Sequence, residues 1–228
     1  LKNYYSIRFL FVPETIGAIT YINKNLKSLQ RNVIAGYVLT CIGDERKYSY
    51  LFTKNSNTLS DRAAVAAFNT LGIKYNSFSF LDRGSDERQY SSQFFKINIC
   101  SIFKDKYYDF KQYHSSLDNL NFVKAENIYE TLKVYQYLIQ KIERQIIYKS
   151  IKTACEPMLS KYDLYPKLGG NILPSKHKLS NLDLILWLLF LSNGDNTIDQ
   201  ISNNLKVNKN KIQTIYNLLK KKKLIERV

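Results

Sequence analysis

Apolar and polar positions in the first 150 residues switch repeatedly between strand-like and helix-like spacing. Residues 5–12 (YSIRFLFV) form a β-rich apolar run that stops at Pro13 and predicts a buried strand. Residues 14–23 then place Ile16, Ile19, Tyr21 and Ile22 at helical spacing. Strands are predicted at 34–41, ending in the turn Gly43-Asp44, and at 48–53. Ser60-Asp61 are the expected N-cap of a helix over 62–71, with Gly72 as its stop. A further strand is expected over 73–80, a polar loop over 81–92 and a strand over 96–103 (KINICSIF). A long amphipathic helix is expected over 124–150, with Leu132, Tyr135, Leu138, Ile139, Ile142 and Ile146 on one face.

Strands that alternate with helices of this length imply an α/β domain with a partial, mostly parallel sheet and flanking helices. In such sheets ligands bind at the carboxyl ends of strands. Glu14 follows the first predicted strand, Cys41 to Asp44 the second, and Asp86 and Glu87 the strand ending at Phe80, while His114 lies beyond the 96–103 strand.

The pattern changes after Ser150. Three of the four prolines and the pair Gly169-Gly170 fall within 154–174, as in a linker or docking segment. A helix is expected over 179–192, with Trp187 in its core beside Leu182, Ile185, Leu186, Leu189 and Phe190. Asn193-Gly194-Asp195 reads as a turn, Thr197 as the cap of 198–205 and Asn208 as the cap of 209–223, with an extended tail from Leu224. This is the layout of a small, α-rich winged helix. The expected domains are 1–153 and 178–228, joined by 154–177.

Composition refines the picture. Of 228 residues 45% are hydrophobic, including 18 Tyr and 12 Phe, which argues for a packed core over disorder. The longest apolar stretch, 179–191, is too short to span a bilayer and contains Asp183. No signal-like segment opens the chain, so a cytoplasmic protein without a membrane partner is expected. Three widely spaced cysteines fit a reducing compartment. The chain opens on Leu1 and reaches a predicted strand within a few residues, so further sequence is expected upstream. The net charge of +15 suits acidic partners such as nucleic acid, or else reflects a solvated Lys- and Asn-rich composition spread along the chain.

Residues 178–228 carry nine Lys/Arg against four Asp/Glu, a net charge of +5. Lys206, Asn208, Lys209 and Lys211 surround the start of the last helix and are candidates for nucleic-acid contact. Docking on protein is the other reading of the same module.

Metal hydrolysis needs His, Asp, Glu or Cys ligands and a carboxylate base near the metal-bound water. His114, one of two histidines, sits in a small polar segment (YHSSLDN, 113–119) suited to a ligand loop. Taken in order, these segments resemble the co-catalytic zinc aminopeptidases of peptidase clan MH. In that clan a strand runs into Glu-Glu-x-Gly, and here RFLFVP runs into Glu14-Thr15-Ile16-Gly17. Glu14 matches the general base, while Thr15 replaces a zinc ligand. Cys41 stands where the clan has a zinc-binding Asp, with Asp44 close by. Ser85-Asp86-Glu87 corresponds to a Ser-Asp-His loop, and residues 114–119 to the clan's His-Thr-x-x-Asp-Thr.

The chain is still more similar to a branch of bacterial predicted aminopeptidases that combine an inserted domain of unknown function with a C-terminal winged helix. The stretches FLFVPETIGAITYI, VLTCIGD, SDRAA, GSDERQY, YHSSLDNLNFV and ACEPMLSKYDLYPKLGG carry that match. Members are sometimes linked to polysaccharide biosynthesis. The resemblance implies zinc, a peptide or small amide substrate, Glu14 as base, and metal ligands among His114, Cys41, Asp44 and Glu87. Asp86 and Tyr113 are implied in substrate binding, and Asp86 and Glu87 could equally pair with Arg83 and Arg88. Glu14 could equally be a helix-start acid. The family's first zinc His and bridging Asp belong to a region absent from this sequence, so at most half of the site is expected here. A decayed, non-catalytic binding protein is the alternative.

Overall fold

The chain's structure, a computed structural model, describes residues 3–93, 97–152, 154–165 and 179–228. Two compact units divide the chain, Leu1–Arg144 and Gln145–Val228.

The first unit opens on a segment that joins no sheet among the described residues. Residues 5–12 were expected to form a buried strand, but among the described residues they find no hydrogen-bonded neighbour strand, and Phe9 and Phe11 are 75% and 92% exposed. The backbone N–H groups of Tyr4 and Tyr5 donate instead to the Glu143 carboxylate. Helix α1 (Ile16–Asn32) runs nine residues past the predicted end at 23. Then follow β1 (Gly36–Leu39), β2 (Tyr48–Leu51), α2 (Leu59–Leu71), β3 (Tyr75–Phe78), the short α3 (Glu87–Tyr90), β4 (Ile99–Lys104) and α4 (Ala125–Arg144). The expected strand start at Lys96 lies outside the described residues.

The sheet order is β1-β4-β2-β3. Pairs β1–β4 and β2–β3 are parallel, but β2 runs antiparallel to β4, so the sheet is mixed. Period-two alternation along β4 divides the core. Cys100 and Ile102 join Tyr50, Phe68, Val134 and Leu138 under α2 and α4, while Ile99 packs with Ala18, Leu29 and Tyr90 near α1.

Helix α2 starts where a buried acid gathers donors. Its N-cap is Thr58, two residues before the expected Ser60, with Asp61 completing a capping box. Asp61 is 1% exposed and accepts from the Tyr50 hydroxyl (2.6 Å), the Thr53 and Thr58 amides (2.9 and 2.8 Å) and both threonine hydroxyls. Gly72 ends the helix at φ +66°, as the sequence predicts.

The second unit holds a three-stranded sheet of order β6-β5-β7: β5 (Ile147–Ser150), β6 (Asn193–Thr197) and β7 (Ile225–Arg227). Helices α5 (Asn181–Leu191), α6 (Ile198–Leu205) and α7 (Lys209–Lys221) complete a winged helix. The expected long helix over 124–150 therefore ends at Arg144, because 147–150 pairs with both outer strands of this sheet. Residues 193–195 are strand with a register shift, although Asn193 Oδ1 still accepts turn-like bonds from Asp195 and Asn196. Thr197 and Asn208 cap α6 and α7 as predicted. Trp187 was expected in the core but is 45% exposed, because α5 is apolar on every side and buries Leu184, Ile185, Leu188 and Leu189 instead. Of the expected linker, residues 154–165 are described and bury Leu159 in this unit's core, whereas Gly169-Gly170 and Lys178 lie outside the described residues.

Replacing Asp61 by Ala would strand five donors, two of them backbone amides. The expected loss is about 3 kcal/mol or more, read as a lower urea midpoint for the first unit. A shift within about 0.5 kcal/mol, the range of an ordinary surface change, would contradict this role.

Candidate functional site

Four connecting segments of the first unit, with Ile128 of α4, meet around a cavity of about 360 Å³: the turn before α1, the loops after β1 and β4, and Ser85 in the loop after β3. Its walls include Glu14, Cys41, Asp44, Tyr113, His114 and Asp118. Residues brought together from 14 to 118 along the chain therefore share one space; the strand-end rule accounts for Cys41, Asp44 and the 107–118 segment, whereas Glu14 enters from a turn that follows no strand.

Glu14 stands in the turn before α1, and its Oε1 accepts from the Ser85 hydroxyl at 2.9 Å. Its other oxygen has no hydrogen-bond partner among the described residues. The next residue, Thr15, has φ +61° and ψ −69° and is held there by Asp86 Oδ1, which accepts its N–H at 2.8 Å. Cys41 (φ +48°) and His114 (φ +52°) also occupy left-handed backbone. Such conformations cost about 1–3 kcal/mol each in non-glycine residues and persist only where the surroundings enforce them.

Cys41 follows β1, and its carbonyl accepts from the Lys104 amide at the end of β4 (2.9 Å). Burial pushes its thiol pKa up, with Asp44 and Asp118 adding to the shift and the Thr40 hydroxyl and Arg46 opposing it. Asp44 is 2% exposed and fully engaged: Arg46 donates to it through Nε (2.8 Å), Nη2 (2.7 Å) and the backbone amide (2.9 Å). The Arg46 guanidinium in turn lies 3.4 Å over the Phe110 ring. Between Cys41 and Asp44, Gly43 passes so close to the next loop that a Cβ would stand 2.5 Å from Val123 Cγ1.

His114 stacks on Tyr113, with ring centroids 4.0 Å apart and planes 12° from parallel. Burial raises the Tyr113 hydroxyl pKa to about 12, with Tyr108, Cys41 and Glu14 adding to it, so the phenol remains a donor at neutral pH. Tyr107, also in the wall, buries a hydroxyl that meets no partner among the described residues. Its polar neighbour Ser101 donates to Glu87 instead.

Asp86 and Glu87 do not line the cavity. Glu87 is fully buried, and its carboxylate accepts from the Gly84 and Ser85 amides (2.8 and 2.9 Å) and from the Ser101 hydroxyl (2.9 Å). Asp86 faces Thr15, and its pKa is raised by burial, with the Thr15 amide opposing and the charges of Glu14 and Glu87 adding to the rise. Among the described residues no group of three or more His, Cys, Asp or Glu is placed to hold a metal ion. With Asp44 committed to Arg46 and Glu87 to three donors, the described residues do not by themselves fit a complete zinc centre.

Arg46, Tyr107, Phe110 and Phe122 are cavity or support residues that sequence reasoning did not single out. The nearest signal was Arg46 two residues after Asp44, the spacing of a local side-chain-to-backbone turn. In the winged helix, Lys206, Asn208, Lys209 and Lys211 are all exposed around the start of α7. Asn208 Oδ1 caps the Asn210 amide, and Lys209 pairs with Asp199 at 2.7 Å. Among the described residues no helix is long and apolar enough to cross a membrane.

A family model described as a domain of unknown function (DUF4910) matches residues 1–145, and one described as a winged helix-turn-helix matches 146–227. A Clostridium acetobutylicum protein named "Putative polysaccharide biosynthesis protein with aminopeptidase-like domain" is 34% identical over 202 residues, covering 89% of this chain and 45% of that protein. A crystal structure of a "putative peptidase" from Clostridium acetobutylicum aligns at TM-score 0.61 and 30% identity, covering all of this chain and 50% of that one. The chain thus spans about half the length of the relatives it matches.

The raised Cys41 pKa means less thiolate at neutral pH than an ordinary cysteine holds, and hence slower alkylation. With iodoacetamide at pH 7, mass-spectrometric mapping is expected to find exposed Cys155 modified first. Cys41 should follow with a rate that climbs as pH rises past the ordinary thiol value. Cys41 reacting fastest at pH 7 would contradict the assignment.

Proposed function

Because the chain belongs to the DUF4910 family and carries a winged helix-turn-helix after it, we propose that it supplies one wall of an amide-hydrolysing, aminopeptidase-like site. The observation that carries this reading is Glu14: a carboxylate on a cavity wall, oriented through one oxygen by Ser85 and open at the other. The names borne by the two relatives point the same way, and the solved one aligns with the whole of this chain.

Glu14 takes the proton from an attacking water as its oxygen adds to the amide carbonyl, then returns it to the leaving amine as the C–N bond breaks. The protonated Tyr113 hydroxyl is a donor for the carbonyl oxygen as it gains negative charge. His114 and Cys41 are the two donors this chain would offer a zinc ion. Any further ligands would have to come from outside the described residues. A cavity of about 360 Å³ suits a small amide or one terminal residue of a peptide.

A second reading concerns the other unit. The exposed Lys206, Lys209 and Lys211 at the start of α7 suit phosphate contact with nucleic acid. That reading predicts duplex binding that weakens steeply with salt.

The direct test is turnover of aminoacyl p-nitroanilides by the full-length protein, with zinc measured by elemental analysis. Glu14→Gln is expected to keep the fold and any bound metal while lowering kcat by about 100-fold or more. Wild-type turnover by Glu14→Gln would remove Glu14 from the mechanism. Absence of any amide hydrolysis by the full-length protein would favour a binding role.

A further inference from the structure

A second cavity, of about 510 Å³, follows from the sense of the strands. Because β2 and β3 run opposite to β1 and β4, the carboxyl ends of the two parallel pairs emerge at opposite ends of the sheet. The Glu14 cavity takes Thr40 to Asp44 from the loop after β1 and most of its remaining wall from the loop after β4, with Glu14 and Ser85 reaching in from the turn before α1 and the far end of the loop after β3. The second takes Lys54 and Ser56 from the loop after β2, and Ser79, Phe80, Leu81 and Arg83 from the loop after β3. Both are strand-end sites of the kind parallel sheets use for ligands.

The two cavities differ in charge. Lys54, Arg83 and Arg88 line the second, and its lining contains no Asp or Glu. None of the three forms an ion pair among the described residues. Lys54 Nζ reaches the Ser91 carbonyl at 3.4 Å, Arg88 Nη2 reaches Thr15 Oγ1 at 3.4 Å, and the Arg83 guanidinium lies 5.6 Å from the Phe80 ring centre. All three are long contacts that leave donors free. The neighbouring acids point elsewhere: Asp82 is bound to Lys106 Nζ at 2.9 Å and Asp86 to the Thr15 amide. Arg88 also feels the Asp86 charge, but Lys54 and Arg83 meet no acid among the described residues, and an oxyanion placed among the three would accept charge-assisted hydrogen bonds. Ser56, Ser92 and Gln93 supply further donors around them, while the Ser79 and Ser91 hydroxyls donate to Asp82 and to the Ile97 carbonyl.

One side of the cavity is apolar, with Phe80 and the 87%-exposed Leu81. The space also exceeds what one tetrahedral oxyanion fills. We propose that this cavity binds a phosphorylated small molecule, its phosphate held by Lys54, Arg83 and Arg88 and its organic group laid against Phe80 and Leu81. The site is independent of the hydrolytic reading and shares no lining residue with the Glu14 cavity.

Isothermal titration at constant ionic strength tests this with three probes: phenyl phosphate, inorganic phosphate and phenol. Phenyl phosphate is expected to saturate a single site, inorganic phosphate to bind more weakly, and phenol to give no saturable heat. The double variant Lys54→Glu/Arg83→Glu, both exposed positions, should weaken phenyl phosphate by about tenfold or more. The milder Lys54→Gln/Arg83→Gln pair gives the same reading if the reversal lowers the melting temperature. Lys24→Glu/Lys27→Glu, at exposed positions of α1, controls for the general attraction of a +15 chain and should leave binding unchanged. No saturable phenyl phosphate binding, or equal loss in the control pair, overturns the site. Equal affinity for inorganic phosphate overturns the organic-group assignment.

Discussion

The Glu87 carboxylate, enclosed on all sides, holds the 84–87 loop to the middle of β4 through the Gly84 and Ser85 amides on one oxygen and the Ser101 hydroxyl on the other. A carboxylate without partners would be strongly unfavourable at such a depth, whereas one with three donors fixes the position of everything it touches. From that fixed loop Ser85 reaches Glu14 and Asp86 reaches the backbone of Thr15, so the turn carrying the candidate base is set from both sides. The left-handed Thr15 is tolerable because these bonds leave it little alternative.

Two other buried acids act in the same way at the other corners. Asp61 binds the end of β2 to the start of α2, and Asp44, paired with Arg46 and braced by Phe110, shapes the floor between β1 and the 107–123 loop. These three carboxylates organise structure. Glu14, exposed and half satisfied, is the acid left available for chemistry. The division follows from satisfaction of hydrogen bonds: an oxygen already accepting two or three donors has little left for a substrate or a metal.

Local signals in the sequence were read well. The caps at Thr197 and Asn208, the stop at Gly72 and the helix–strand alternation rest on interactions spanning four residues or fewer, which one sequence displays directly. Non-local pairing was not legible. The apolar face of α4 runs through Ile142 and Ile146 into β5 without a break in periodicity, and only partners near residues 193–197 and 225–227 make 147–150 a strand. In α5 the apolar residues surround the helix, so no stripe distinguished buried Leu184 from exposed Trp187. For the site, Glu14, Cys41, Asp44, Tyr113 and His114, which residue order singles out, all line one cavity. The burial of Glu87 was hidden because its acceptor role depends on Ser101, fourteen residues away.

Amide hydrogen exchange on Glu87→Ala most directly tests whether this buried carboxylate sets the site. The Gly84 and Ser85 amides are expected to exchange about tenfold faster or more, while the Thr53 and Thr58 amides held by Asp61 keep their protection. Unchanged protection at Gly84 and Ser85 would contradict the account, and the position of Glu14 would then need another cause.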